Sequence, residues 1–304
     1  MESLPLACCK MIDPIAVFKF GIEKTGHPIW VKDALDKITK LDNERFRQSY
    51  GIGPDTLVKV FQDLQSAEIM GEYAIKNPSM YNFLMTLHWL RVYNKECNHA
   101  GFWHMSENSA RDKTWALVKA IQKLVDSKVK WIDPESLPDE VFMASVDGIH
   151  CQISEIRTNP SKKLCSYKNK KPGVVYEIAI GVYNDTLLWI NGPFPAGTSD
   201  LDVFRAGLKD KIPNGKRLIA DQGYIAEPEI CSLRNPLDTE AVKELKRRGK
   251  ARHETFNRRL KAWEVLNQRF RCTRDPMVKH KAVFEACCVL TQYDVEDSHP
   301  LFKV

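Results

Sequence analysis

Three acidic residues sit where a chain can present a carboxylate from a buried frame. Asp147 closes the apolar run 142–146 and precedes Gly148, while Asp221 closes the run 217–220 and precedes Gln222-Gly223. An apolar run that stops on a carboxylate before a glycine turn is how a buried strand delivers one charge to the edge of a sheet. Glu254 lies in the basic, helix-like stretch 252–261. The three acids are 74 and 33 positions apart, enough to enclose whole elements between them. Carboxylates from separate elements suit Mg²⁺ or Mn²⁺, hard cations that keep part of their water shell. Two such ions about 3.5–4 Å apart activate a nucleophile and neutralise a leaving oxygen during in-line attack on phosphorus. The expectation is a pocket in which Asp147, Asp221 and Glu254 hold two ions and carry the chemistry.

Each acid also has a plainer use. Asp-Gly and Asp-x-Gly are ordinary turn formers, and Glu254 can pair with Arg258 one helical turn on. Asp200 and Asp202 rival Asp221 for the second position. They open a helix, where an acid satisfies free N–H groups, so both are read as capping residues. The pocket is favoured because two basic clusters flank it. Residues 241–261 hold nine Lys/Arg against Glu244 and Glu254, a balance of +7 where the whole chain carries +6. Residues 157–171 hold six Lys/Arg and no acid. Such flanks are expected where a polyanion lies across an acidic pocket. The cations assigned to double-stranded DNA are Lys162, Lys163, Lys168, Lys170 and Lys171 in the second cluster, and Arg252, Arg258, Arg259 and Lys261 in the first. Helical spacing puts Glu254, Arg258 and Lys261 on one side, with Phe256, Leu260 and Trp263 towards a core.

Composition narrows the class. With 43% hydrophobic and 28% charged residues the chain is ordinary globular protein. No apolar run approaches the roughly 20 residues of a membrane helix, and the N-terminus lacks the pattern of a signal peptide, so a soluble intracellular protein is expected. Nine cysteines, scattered and partly adjacent (Cys8-Cys9, Cys287-Cys288), read as reduced thiols. Cys97, His99 and His104 lack the second half of a zinc pattern.

The elements that must position the acids follow from periodicity. Residues 1–40 are weakly patterned and their role stays open. Leu57, Val60, Phe61 and Leu64 mark a helix from Pro54, and Asn77-Pro78 would cap and start the next, carrying Phe83, Leu84, Leu87 and Leu90. A polar turn at 98–101 follows, then a helix capped by Ser106 with Ala110, Thr114, Leu117, Val118 and Ile121 inward. Asn108, Ser109, Arg111 and Lys113 are left exposed at its start, the helix-turn-helix plan in which such residues meet DNA. Residues 131–139 read as a linker. Beyond it the pattern turns strand-like: 142–153 as one strand or a bent pair, then 173–183 and 187–190 as a hairpin about Asn184-Asp185. Pro193-Phe194-Pro195 breaks the pattern. A helix at 200–209, the strand ending at Asp221, a helix over 239–267 broken near Gly249, and a last helix over 277–293 complete the chain. Three antiparallel strands, a helix, a further strand and helices is the order of a ribonuclease H-like α/β fold. The expected organisation is an N-terminal segment (1–40), an all-α helix-turn-helix-like domain (41–130), the α/β domain with a mixed sheet flanked by helices (140–295) and a tail (296–304).

Four blocks in order resemble the PIF/Harbinger group of DDE transposases: Val146-Asp147-Gly148-Ile149-His150; Gly197-Thr198-Ser199-Asp200-Leu201-Asp202-Val203-Phe204, with Ser199 where histidine is usual; Ala220-Asp221-Gln222-Gly223-Tyr224; and Arg252-His253-Glu254 with Leu260-Lys261 and Arg269-Phe270. The similarity spans about 140–295 and, more weakly, 42–126. It implies a Mg²⁺-dependent endonuclease and strand transferase that cuts element ends and joins them to target DNA. A separate Myb-like DNA-binding partner and a nuclear location come with that implication, and a homo-oligomer is compatible with it. The segment from Tyr224 to Glu254 is short for such a protein. Lys246-Arg247-Arg248-Gly249-Lys250 suits either nuclear import or DNA phosphates. Two other readings stand beside it: a domesticated, non-enzymatic DNA- or partner-binding protein, and a ribonuclease H-type enzyme acting on RNA–DNA hybrids.

Overall fold

The computed structural model describes residues 12–26, 40–66, 79–132, 141–155, 162–166, 170–272 and 275–304. Asn77, Pro78, Lys168, Cys8, Cys9 and the linker from 133 onward lie outside the described residues.

The helical part comprises α1 (Pro14–Lys24), α2 (Lys40–Tyr50), α3 (Pro54–Ser66), α4 (Met80–Val92), α5 (Glu96–Phe102), α6 (Glu107–Gln122) and α7 (Val125–Lys128). Helix α3 buries Leu57, Val60, Phe61 and Leu64, as its spacing required. Helix α4 is capped by Ser79, whose hydroxyl accepts from the Asn82 amide at 3.2 Å. Ser106 does the same for Ser109 at the start of α6. The expected polar turn at 98–101 is instead the body of α5, because His99 and Ala100 face inward and bury there. The open question of residues 1–40 is partly answered: α1 inserts Val17, Phe18 and Ile22 into the core.

The sheet has the order β3-β2-β1-β4-β5. Strand β1 (Phe142–Gln152) is one continuous strand, antiparallel to β2 (Gly173–Gly181), which is antiparallel to β3 (Leu187–Pro195). On its other side β1 runs parallel to β4 (Arg217–Ile219), and β4 to β5 (Cys231–Ser232). Pro193 and Pro195 do not end the hairpin: β3 continues through them with shifted register, tolerated because β3 is the edge strand. Helix α8 (Asp200–Arg205) lies between β3 and β4. Helix α9 (Glu240–Lys261), the four-residue α10 (Glu264–Asn267) and α11 (Pro276–Asp297) follow β5. This mixed five-stranded sheet with flanking helices, behind an all-helical region, is the ribonuclease H-like arrangement.

Helix α9 runs unbroken past Gly249. A β-carbon there would stand 2.6 Å from Ile219 Cδ1, so the glycine serves close approach of helix to β4 and not a break. The two faces of the sheet differ. Ile149, Cys151, Tyr176 and Ile178 join α9, α11 and the N-terminal helices in one core. Ala144, Val146 and Ala179 pack against Phe204, Leu208 and Tyr224 on the other face. The helical region and the sheet therefore share a single hydrophobic interior. The described cysteines are all free thiols, and among the described residues no helix is long and apolar enough to cross a membrane.

Candidate active site

Strand β1 sets the site. Its side chains alternate, so Ser145, Asp147 and Cys151 face α9 while Val146 and Gly148 face α8. Helix α9 answers with residues four apart. His253 shares a 2.8 Å hydrogen bond with the Ser145 hydroxyl. The Asn257 side-chain amide donates to Asp147 Oδ2 at 3.1 Å. The Lys261 ammonium donates to the His150 carbonyl, and to the Cys151 thiol at 3.5 Å. These three rungs fix helix against strand. Glu254 is exposed, about one helical turn before Asn257, and its charge reaches Asp147.

Asp147 Oδ1 accepts from the Gly148 amide at 2.8 Å. Among the described residues its hydrogen bonds come from amides and it makes no ion pair. Burial pushes its carboxyl up to about 6, against the pull of the Gly148 amide, and the negative charges of Asp221, Glu254 and Asp200 push it further. The four carboxylates thus lie within electrostatic reach of one another. Asp221 follows β4, caps the turn Gln222–Tyr224 and accepts from the Gly223 amide at 2.8 Å. It is exposed, as a group delivered to a sheet edge should be.

Asp200, expected as a capping residue, stands in the first turn of α8 but is not its N-cap. Ser199 caps α8, accepting from the Asp202 amide at 3.1 Å while its hydroxyl donates to Asp202 Oδ2 at 2.7 Å, so capping belongs to Ser199 and Asp202. Asp200 turns the other way. A β-carbon added at Gly148 would stand 2.6 Å from Asp200 Oδ1, and one at Gly223 would stand 2.8 Å from Oδ2. Its carboxylate lies between Gly148 of β1 and Gly223 of the turn after Asp221, where a side chain at either glycine would crowd it. The one sequence signal was redundancy, since a helix start with a serine cap has little need of two acids.

Beneath Asp200 lies Glu177, opposite Gly148 on β2 and 1% exposed. Its Oε2 accepts from the Trp189 indole at 3.3 Å. Burial pushes Glu177 up to about 8, with the Asp200 charge adding and the Trp189 and Tyr224 hydrogen bonds opposing. Burial thus favours its neutral form, which lessens the negative charge under the cluster.

The cations separate into two sets. Arg252, 2% exposed, donates to the Phe302 and Asn184 carbonyls and to Asp185 Oδ1. Arg259 donates to the His299 and Pro300 carbonyls, and Lys261 to His150 and Leu266. These three, expected on phosphate, clamp α9 to the sheet and to the C-terminal residues. Arg258, Lys162, Lys163, Lys170 and Lys171 are exposed. The Lys163 carbonyl accepts from the Gly197 amide at 2.9 Å, which seats the 162–164 turn three residues from Asp200. Asn108, Arg111 and Lys113 are exposed at the start of α6, Arg111 in an ion pair with Glu96.

The donor set is all carboxylate oxygen, each acid steadied by amide N–H groups or placed beside another acid, and it fits a hard divalent cation. Among the described residues no three His, Cys, Asp or Glu side chains are drawn together tightly enough to hold an ion as they stand. A cation would have to pull these carboxylates closer.

Residues 146–292 match the model of a family described as DDE superfamily endonuclease. The match takes in Asp147, Asp200, Asp221 and Glu254. No curated protein and no solved structure matches the chain.

Proposed function

Taking residues 146–292 as a DDE superfamily endonuclease domain, we propose that the protein is a DDE transposase of PIF/Harbinger type, cutting duplex DNA and joining the freed ends to a target. The observation that carries this reading is Asp147, a half-buried acid whose surroundings are three further carboxylates and amide donors. An acidic cluster without an internal cation is costly unless a metal ion completes it. Asp147, Asp221 and Glu254, with Asp200 beside them, would hold Mg²⁺ or Mn²⁺. Bound there, two ions supply activation of the attacking oxygen and neutralisation of the leaving one.

The chain's own residues orient that arrangement. Gly148 and Asn257 each engage one oxygen of Asp147, so the carboxylate cannot rotate freely. Gly223 N–H holds Asp221 in the same way. Arg258 and the lysines at 162, 163, 170 and 171 supply phosphate contacts around the acidic centre, with Lys168 of the same run. Asn108, Arg111 and Lys113 would add contacts from the helical region. A nuclear location and a separate Myb-like DNA-binding partner belong to the same proposal.

The test is Mg²⁺- or Mn²⁺-dependent nicking of duplex DNA by the purified protein, with Glu254→Gln as the matched control. Nicking by the wild type alone supports the reading. Absence of nicking by both, together with no calorimetric metal binding at the carboxylates, would leave a domesticated DNA- or partner-binding protein on the same fold.

A further inference from the structure

A second concave site lies away from the carboxylates, between α4, α5 and α6 and the strand-like segment Phe270–Cys272. It is a cavity of about 310 Å³. Its walls are aromatic. Trp89 and Trp115, both half-buried, meet edge to face at 5.7 Å, and Trp89 meets Tyr93 at 5.3 Å. Tyr93 in turn stacks on Phe270 with 6.2 Å between ring centres. Cations line the cavity: the Lys279 ammonium lies 5.4 Å over Trp115, the Arg271 guanidinium lies 4.0 Å over the Tyr93 ring and also donates to the Tyr93 and Asn94 carbonyls, and Arg111 is paired with Glu96.

Among the described residues, two polar side chains on the wall have no hydrogen-bond partner: both ring nitrogens of His99, which is 2% exposed, and the hydroxyl of Thr114, which is 3% exposed. Burial holds His99 down to about 4, with the neighbouring His88 adding to the effect, so the ring is neutral. A neutral imidazole offers one donor and one acceptor, and a hydroxyl offers both. Buried polar groups left unpaired are rare and call for an explanation. Here the unpaired set is a donor, an acceptor and a hydroxyl beside two indole rings, in a cavity lined by cations.

We infer that this cavity is a nucleobase-binding site, taking one unpaired base between its aromatic walls and that base's phosphate at Arg111, Arg271 or Lys279. Flat rings stack on indoles, a base edge pairs with His99 and Thr114, and the cations face the backbone charge. The inference deepens the proposed action on DNA and rests on it for the source of the base. Phe270, on the cavity wall, bridges to Ile153 at the far end of the strand that carries Asp147.

The probes are the four 2′-deoxynucleoside 5′-monophosphates, their binding to the full chain measured by equilibrium dialysis in the presence of a chelator. At least one should bind. Trp115→Ala should weaken binding roughly fivefold to a hundredfold by removing a stacking surface, and Thr114→Val by about fivefold by removing a hydrogen bond. Asp221→Asn should bind as the wild type does, which separates the cavity from the carboxylates. Displacement of the bound mononucleotide by a duplex with one unopposed base, and not by a fully paired duplex, assigns the base to DNA. Binding that no duplex displaces assigns the cavity to a free nucleotide. No binding of any of the four, or undiminished binding by both cavity variants, overturns the inference even if the protein nicks DNA. Mononucleotide binding without nicking would uphold the cavity and overturn the nuclease reading.

Discussion

The carboxyl of Asp147 should be a liability to the metal-free protein, and removing its charge should stabilise the fold. Its pKa is raised from 3.8 to about 6, by burial first and then by Asp221, Glu254 and Asp200. A carboxyl whose folded value lies above its unfolded value favours folding only while it is protonated. That contribution is complete below about 3.8 and is lost as pH rises through about 6. At about 1.36 kcal/mol per pH unit the penalty at neutral pH is about 3 kcal/mol, and partial exposure of the group trims it to about 2 kcal/mol. Asp147→Asn keeps the shape. The Asn257 side-chain oxygen, buried and without a hydrogen-bond partner among the described residues, can turn to accept from the new amide. The variant should therefore be about 2 kcal/mol more stable than the wild type at about pH 7.5 in chelator, a rise in Tm of about 3 °C for a chain of this length. The difference should shrink towards zero by about pH 4. Millimolar Mg²⁺ should raise the wild type more than the variant, because a charged carboxylate holds the ion more strongly than a neutral amide oxygen. Urea titrations at several pH values, with and without Mg²⁺, give all three comparisons. A variant no more stable than the wild type near neutral pH, or one whose advantage persists unchanged in acid, would refute the account of this cluster.

Other outcomes follow from the same geometry. Gly148→Ala puts a methyl group where Asp200 Oδ1 now stands; metal-dependent nicking should fall at least about tenfold while the far-ultraviolet circular dichroism stays native, and full activity would remove Asp200 from the site. Arg252→Leu leaves Asp185 and two carbonyls without their cation; it should cost about 3 kcal/mol of stability without changing the salt dependence of DNA binding. Neutralising Lys162, Lys163, Lys170 and Lys171 should have the opposite signature, lowering the log–log salt slope by about 0.9 for each phosphate no longer neutralised, and an unchanged slope would make them a solvated face. Burial depresses four histidines, His253 and His280 to about 3 and His88 and His99 to about 4. The unfolded chain takes up those protons first, so stability present above about 6.5 should be lost as pH falls towards about 4; a flat denaturation profile over that interval would contradict it.

What local sequence determined is where the chain must change direction and what it presents there. The apolar run that stops on Asp221 before a glycine turn is a strand end, as β4 shows, whereas the run that stops on Asp147 continues as strand through Gln152 because β2 pairs with it on both sides of Gly148. Helical spacing in α3 and α6, and the serine cap of α6, were legible because their stabilising contacts lie within a turn or two. Tertiary structure decided every partner far along the chain. Asp200 and Asp202 share one helical turn and one local reading; only the approach of Gly148 and Gly223 to Asp200 tells them apart. A lysine or arginine on α9 carries the same charge towards a phosphate or a carbonyl. Lys261 meets a carbonyl 111 positions away and Arg252 one 68 positions away, pairings that periodicity cannot register. Pro193 and Pro195 read as breakers because an edge strand, which can spare their missing N–H groups, is defined only once the sheet is assembled. The cavity lined by His99 and Thr114 is the clearest case. Its walls come from α4, α5, α6 and residues 270–272, and no local pattern of any one of them announces the space they enclose together.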